Sequence, residues 1–161
     1  FNWLRRFYSQ DDFREALLYS LSANYFQNLQ HALNHMVIQG PRLVANAGII
    51  NADEGDDLAT ISDELIRMEG ITLAIVWGLI QNPGDKLDTI RLSARSQDPS
   101  ISLGAFLRSR FDAGGAKLTG NGKGIGGATF SLQATWNEDR LVGEKLLKVA
   151  EVMIRELVFE E

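Results

Sequence analysis

Residues Ile71 to Gln81 read I-T-L-A-I-V-W-G-L-I-Q, with hardly a polar side chain among them. The run is too short for a membrane span, which takes about 20 apolar residues. Gly70 precedes it and the turn signal Asn82-Pro83-Gly84-Asp85 follows it. A strand that is apolar at successive positions has to be covered on both faces. This stretch therefore predicts a buried central strand between two further layers.

The neighbouring segments fit that frame. Arg42 to Ile50 reads as a strand, and N-A-D-E-G-D-D as the turn after it. A helix from about Asp56 to Met68 turns Leu58, Ile61, Leu65 and Ile66 inward. Leu87 to Ser96 alternates in places and returns as the second arm of a hairpin. Asp98-Pro99 reads as an N-cap with proline at the first helical position, opening a helix with Leu103, Phe106, Leu107 and Phe111 on one face. A strand from Ala128 to Ala134 and a helix from about Glu138 to Val158 close the chain. The order predicts an α/β fold: a mixed sheet flanked by helices.

Residues 1–40 are expected to be a helical arm. Phe13, Leu17, Leu21, Tyr25, Leu29, Leu33 and Met36 recur at helical spacing, and Gly40-Pro41 stops them. The division expected is an arm over 1–40 and a domain over 41–161. The first residue is Phe1, already in helical pattern, so the chain reads as part of a longer protein whose missing portion is N-terminal. There is no cysteine, which excludes disulfides and thiolate metal sites and fits a cytoplasmic protein.

Seven of the 15 glycines fall between Gly114 and Gly127, with Lys123 in their midst. Glycines let a ligand approach the backbone N–H groups, and successive N–H groups make an anion-binding concavity. The net charge of −5 argues against a general nucleic-acid coat. Locally the balance reverses. From Lys86 to Lys123 there are seven basic residues (Lys86, Arg91, Arg95, Arg108, Arg110, Lys117, Lys123) against three acidic ones. From Asn51 to Glu69 there are seven acidic residues and one basic.

The glycine stretch fails the phosphate-loop pattern G-x-x-x-x-G-K-[ST], because Gly124 follows Lys123. Gly122 to Gly127 spells G-x-G-x-x-G, but a dinucleotide fingerprint needs a strand before it and a helix after it. Here a strand follows. Gly120-Asn121-Gly122-Lys123, then Gly126-Gly127-Ala128 and a strand, resembles the G-G-G-H-x-x-A-A-G motif of the DHHA1 domain, the C-terminal lobe of DHH-family phosphoesterases. Asp63 to Ile71 with the apolar strand ending in Val76-Trp77-Gly78 is similar to the helix–strand segment of that lobe. R-L-S-A-R-S with Asp98-Pro99 resembles its next strand and helix. The resemblance covers roughly residues 42–135. Asn121 stands at the family's second glycine, and Lys123 at its histidine. Lysine can donate and attract but has no acceptor lone pair, so the exchange favours charge-based clamping over proton transfer.

The resemblance implies a substrate-binding lobe of an exopolyphosphatase-related or oligoribonuclease-like enzyme. Its substrate-binding residues would be Arg95, Gly120, Asn121, Gly122, Lys123, Gly126 and Gly127. The partner would be a phosphate-bearing substrate: a short oligonucleotide, a nucleotide or polyphosphate. The DHH lobe, carrying Mn²⁺ or Mg²⁺, would lie in cis on the missing portion. No D-H-H stretch occurs here, so no catalytic residue, metal ligand or cofactor is assigned within this chain. The alternative is a structural module whose glycine loop is only a turn and whose N-terminal helix forms a homodimer. His31 and His35 have the i, i+4 spacing of metal ligands, yet Ala32 breaks the zinc-protease pattern. The acidic set Asp53, Glu54, Asp56 and Asp57 does not have the calcium-loop spacing and suits a helix start.

Overall fold

The apolar run becomes the strand Leu73–Asn82, buried from Leu73 through Ile80. A computed structural model describes residues 20–84, 86–111, 113–119, 122–132 and 140–159. Helix α1 (Ala23–Asn34) leads into strands β1 (Met36–Gln39) and β2 (Arg42–Asn51) and helix α2 (Asp57–Leu65). The hairpin β3 (Leu73–Asn82) and β4 (Lys86–Ser96) follows, then helix α3 (Leu103–Arg110). A second hairpin, β5 (Ala113–Leu118) and β6 (Gly124–Ser131), precedes helix α4 (Arg140–Phe159).

Among the described residues six strands form one sheet in the order β1-β2-β3-β4-β6-β5. β2 and β3 run parallel, joined through α2, and the other pairs are antiparallel. Side chains alternate across β3. Leu73, Ile75, Trp77 and Leu79 enter one core with Leu107 of α3 and Ala150, Ile154 and Val158 of α4. Ala74, Val76 and Ile80 enter the other with Tyr25 and Ala32 of α1 and Leu58, Ile61 and Leu65 of α2. The expected mixed α/β sheet with a helical layer on each face is what forms. Trp77 is fully buried, and its Nε1–H has no partner among the described residues. Arg42 Nη1 donates to Val158 O at 3.1 Å and Arg110 Nε to Leu157 O at 2.7 Å. Two cations thus serve carbonyls that the end of α4 leaves unpaired.

Three expectations are corrected. The N-terminal helix does not run to Gly40. Ser22 caps its start by accepting from Tyr25 N, it stops at Asn34, and Met36–Gln39 pairs with β2. Valine and isoleucine suit a pleated edge strand, and joining the sheet outweighs the last helical turn. The helical reading of 1–19 lies outside the described residues. Asp98 is not a helix N-cap either. Its carboxylate accepts from Ser100 N at 2.8 Å and Ser100 Oγ at 2.6 Å, closing a local turn, and α3 starts only at Leu103. The Ser100 hydroxyl, and then its N–H, hold the Asp98 carboxyl below its ordinary value. A depressed carboxyl pKa gives stability that is present at neutral pH and is lost as the pH falls through the folded-state value, below the ordinary 3.8. Ser100→Ala is expected to raise the Asp98 midpoint in a carboxyl-carbon NMR titration. An unchanged midpoint would remove Ser100 as the cause.

Third, the glycine stretch is mostly strand. The glycines expected to form a loop before a strand at Ala128 lie largely in Ala113–Leu118 and Gly124–Ser131, and between these strands Thr119 N donates to Lys123 O at 2.8 Å and Gly122 N to Thr119 O at 2.9 Å. Gly122 has φ +74°, a region L-residues rarely occupy. The strand glycines have a different purpose. A Cβ on Gly126 would lie 2.8 Å from Leu107 Cδ1, Ala116 Cβ and Gly115 O. The bare backbone lets α3 settle onto the hairpin. Gly126→Val is expected to cost about 2 kcal/mol through overpacking, measured by urea denaturation. A loss below about 0.5 kcal/mol would mean that α3 yields freely.

Candidate functional site

Arg95 and Lys123 lie 28 positions apart in number but share one cleft, of about 240 Å³. Its walls are the end of α2, the end of β4 and the turn between β5 and β6. Asp63, Ile66 and Arg67 come from the first, Arg95, Ser96 and Gln97 from the second, and Thr119, Lys123, Gly124 and Ile125 from the third. These are the three segments that carry the resemblance to the phosphoesterase lobe. The register explains the meeting. Arg95 pairs with Ile125 and Ser96 with Gly124, so the turn before β6 hangs beside the end of β4.

Arg95 is 8% exposed and saturated. Nε and Nη2 grip Asp63 at 2.5 and 3.2 Å. Nη1 donates to Ser93 Oγ and Ala94 O at 2.9 and 3.1 Å, and Nη2 also to Ala59 O at 3.3 Å. A guanidinium has five N–H donors, and these five bonds use them all. Ser93 Oγ lies 2.9 Å from Ser62 Oγ in turn. Arg95 therefore forms the floor of the cleft and ties β4 to α2. It has no N–H to spare for a ligand, and its charge is balanced by Asp63.

Lys123 is exposed on the rim. Because the Arg95–Asp63 pair adds no net charge, Lys123 supplies the surplus positive charge of the cleft. Arg67 stands on the opposite wall, and sequence reasoning passed over it as a site residue. Its side chain is 74% exposed and meets Glu64 at 3.3 Å across one helical turn. Such surface pairs are worth about 0–1 kcal/mol, so an anion can draw Arg67 away cheaply. Thr119 adds a hydroxyl, which donates to Lys123 O at 3.2 Å in the turn. Ile66 and Ile125 add apolar surface.

The remaining expected contacts divide. Gly122 lies in the turn beside the cleft. Gly126 and Gly127 lie in β6, flanked by β4 and β5. Their N–H and C=O groups belong to the sheet ladder. Gly120 and Asn121 lie outside the described residues. The basic tract is also dispersed. Arg110 covers the Phe106 ring at 4.3 Å, and Arg108 and Lys117 face a separate hollow beside the start of α3.

His31 and His35 stack face to face, with centroids 4.0 Å apart and planes 15° from parallel. Each Nδ1 faces a main-chain carbonyl, Asn46 O at 2.8 Å and His31 O at 2.9 Å. A carbonyl only accepts, so each Nδ1 carries the proton. Among the described residues no three His, Asp or Glu side chains gather as metal ligands. The acidic turn has structural bonds: Glu54 accepts from Asn24 and Asn51, and Asp57 from Asn28. They join α1 to the start of α2.

No protein-family model matches the chain. Over 83 residues it is 34% identical to uncharacterized protein MJ1633 of Methanocaldococcus jannaschii, a match spanning 52% of the chain and 16% of that protein. Its fold recurs within a larger protein. An exopolyphosphatase-related protein from Bacteroides fragilis matches 95% of the chain with a TM-score of 0.53 and 14% identity. The chain spans 42% of that protein. At this identity the likeness concerns the fold.

Proposed function

We propose that this chain is the substrate-binding part of a DHH-type phosphoesterase. It holds the phosphate-bearing end of a short oligonucleotide, nucleotide or polyphosphate in the cleft between the end of α2 and the β5–β6 turn. One observation carries the reading. Lys123, which stands at the family motif's histidine, is the unbalanced cation of a cleft built from the three segments that resemble the family. Lys123 and Arg67 approach an anion from opposite walls, and the Arg95–Asp63 pair keeps the floor rigid beneath it. The fold shared with an exopolyphosphatase-related protein supports the same assignment.

The Mn²⁺ or Mg²⁺ of such an enzyme has no set of ligands among the described residues. Metal binding and bond cleavage are assigned to a separate lobe, and the residues here bind and orient. The setting proposed is the cytoplasm; no helix among the described residues is long and apolar enough to cross a membrane. A second reading, a dimerisation module, draws on the exposed Phe26 and Leu33 of α1 and Ile38 of the edge strand β1. Titrating the chain with pyrophosphate and with a dinucleotide separates the two. Amide signals of Thr119 and Gly122 to Ile125 move if the cleft binds anions. Unmoved signals with both ligands, in a chain that sediments as a dimer, would favour the module.

A further inference from the structure

We propose that Gln97 is a specificity-determining residue of this cleft, reading an amino group on the base of a bound nucleotide. This rests on the reading of the cleft as an anion site and goes beyond it by choosing among the phosphate compounds.

Gln97 follows the last residue of β4 and is held twice. Its main-chain N–H donates to Thr72 O at 2.8 Å, and its side-chain Nε2 donates to Ile66 O at 2.7 Å. Ile66 is the C-cap of α2, so this carbonyl is among those a helix end leaves without an intrahelical partner. A carbonyl oxygen can only accept. The amide nitrogen must therefore face Ile66, and the side chain cannot flip without setting oxygen against oxygen. That fixes Oε1 as the group Gln97 offers to a ligand. Among the described residues no donor reaches it. Asp63, the carboxylate in the lining of this cleft, turns both oxygens to Arg95.

The surroundings of this acceptor narrow the ligand. Lys123 and Arg67 supply positive charge, and Ile66 and Ile125 supply apolar wall. The matching ligand carries an anionic group, a flat face that tolerates apolar contact and an N–H donor in the plane of that face. A nucleotide has all three. Inorganic polyphosphate has only the first. A volume of about 240 Å³ is small beside the ~300–1,000 Å³ of sites for drug-sized ligands, and suits one nucleotide unit better than several.

A fixed acceptor discriminates among bases. The exocyclic groups of adenine and cytosine are amino donors, whereas the oxygens at those positions in hypoxanthine and uracil are acceptors. An acceptor facing an acceptor forms no hydrogen bond, so hypoxanthine and uracil lose the contact that the amino bases make. AMP should therefore bind more tightly than IMP, and CMP more tightly than UMP, by about tenfold, the upper end of what one neutral hydrogen bond contributes.

The experiment is calorimetric titration of the chain with AMP, IMP and pyrophosphate, on the parent and on Gln97→Leu. Gln97 is exposed, so the variant is expected to fold, and its melting temperature checks that. The expected result is an AMP preference of about tenfold in the parent that falls within twofold in the variant, while pyrophosphate binds both alike. Equal affinity for AMP and IMP in the parent, with Lys123-dependent pyrophosphate binding intact, overturns the base-reading role and leaves the anion site standing. Retention of the AMP preference in a folded Gln97→Leu also overturns it. Failure of all three compounds to bind removes both proposals.

Discussion

Arg95→Ala is expected to lower the stability of the chain by about 3 kcal/mol, read from urea denaturation. The cost arises on both sides of the bond set. Removing the guanidinium takes away five hydrogen bonds, three of them across the junction of β4 and α2. Bonds involving a charged partner are worth about 1.5–3 kcal/mol net where they are well formed. Breaking a buried pair by deleting one member costs about 3–5 kcal/mol. The lower end applies here, because Asp63 is 58% exposed and water can serve it once Arg95 is gone. Ser93 keeps its contact with Ser62, which limits the loss further. Arg95→Lys is expected to recover less than half, since an ammonium cannot span Asp63, Ser93, Ala94 and Ala59 as a planar fork does. The same variant tests what Arg95 is for. A folded Arg95→Lys chain should bind pyrophosphate within about threefold of the parent, because the floor guanidinium has no free N–H. A loss of tenfold or more with the fold intact would return Arg95 to the ligand.

Lys123→Ala is expected to do the reverse. It should weaken pyrophosphate binding by about 10- to 100-fold, the range given by about 1.5–3 kcal/mol for a charge-assisted contact. Stability should change by less than about 0.5 kcal/mol, since the side chain is exposed. The turn is held by main-chain bonds and Thr119, which the substitution leaves in place. Binding in the parent should weaken as salt rises, because the contact is exposed and screened, and the variant should show a shallower dependence. Lys123→Arg should retain most of the affinity. If Lys123→Ala bound pyrophosphate as tightly as the parent, the charge-based role would fall.

The sequence and the folded chain agree most closely where hydrophobic pattern is strong. The run around Trp77 called for burial on both faces, and β3 is buried on both. Leu58, Ile61 and Leu65 called for one inward face, and α2 presents it. Agreement fails where residues lack a strong local preference. Gly124, Gly126 and Gly127 have poor strand propensity, so they read as loop. In the molecule, β4 on one side and β5 on the other hold them extended, and α3 requires the missing Cβ at Gly124 and Gly126. Met36–Gln39 failed in the opposite direction, since a helical period happens to continue into residues that a neighbouring strand captures.

For the candidate site, the sequence indicated Lys123 through its glycine neighbours and drew attention to Arg95 on its strand. It gave no reason to separate their tasks. Arg67 and Gln97 carried no motif at all, although Arg67 lies in a segment whose resemblance was visible.

What the sequence determined by itself was the class of fold, the central strand and the place of Lys123 among the glycines. These follow from composition and period, which act within a few residues of one another. Only the tertiary structure decided which cation is free. Asp63 and Arg95 are 32 positions apart, and the packing of α2 on β4 unites them, neutralising one charge and leaving Lys123 with the surplus. Charge balance in a cleft depends on partners that the fold assembles, and local pattern carries no record of that pairing.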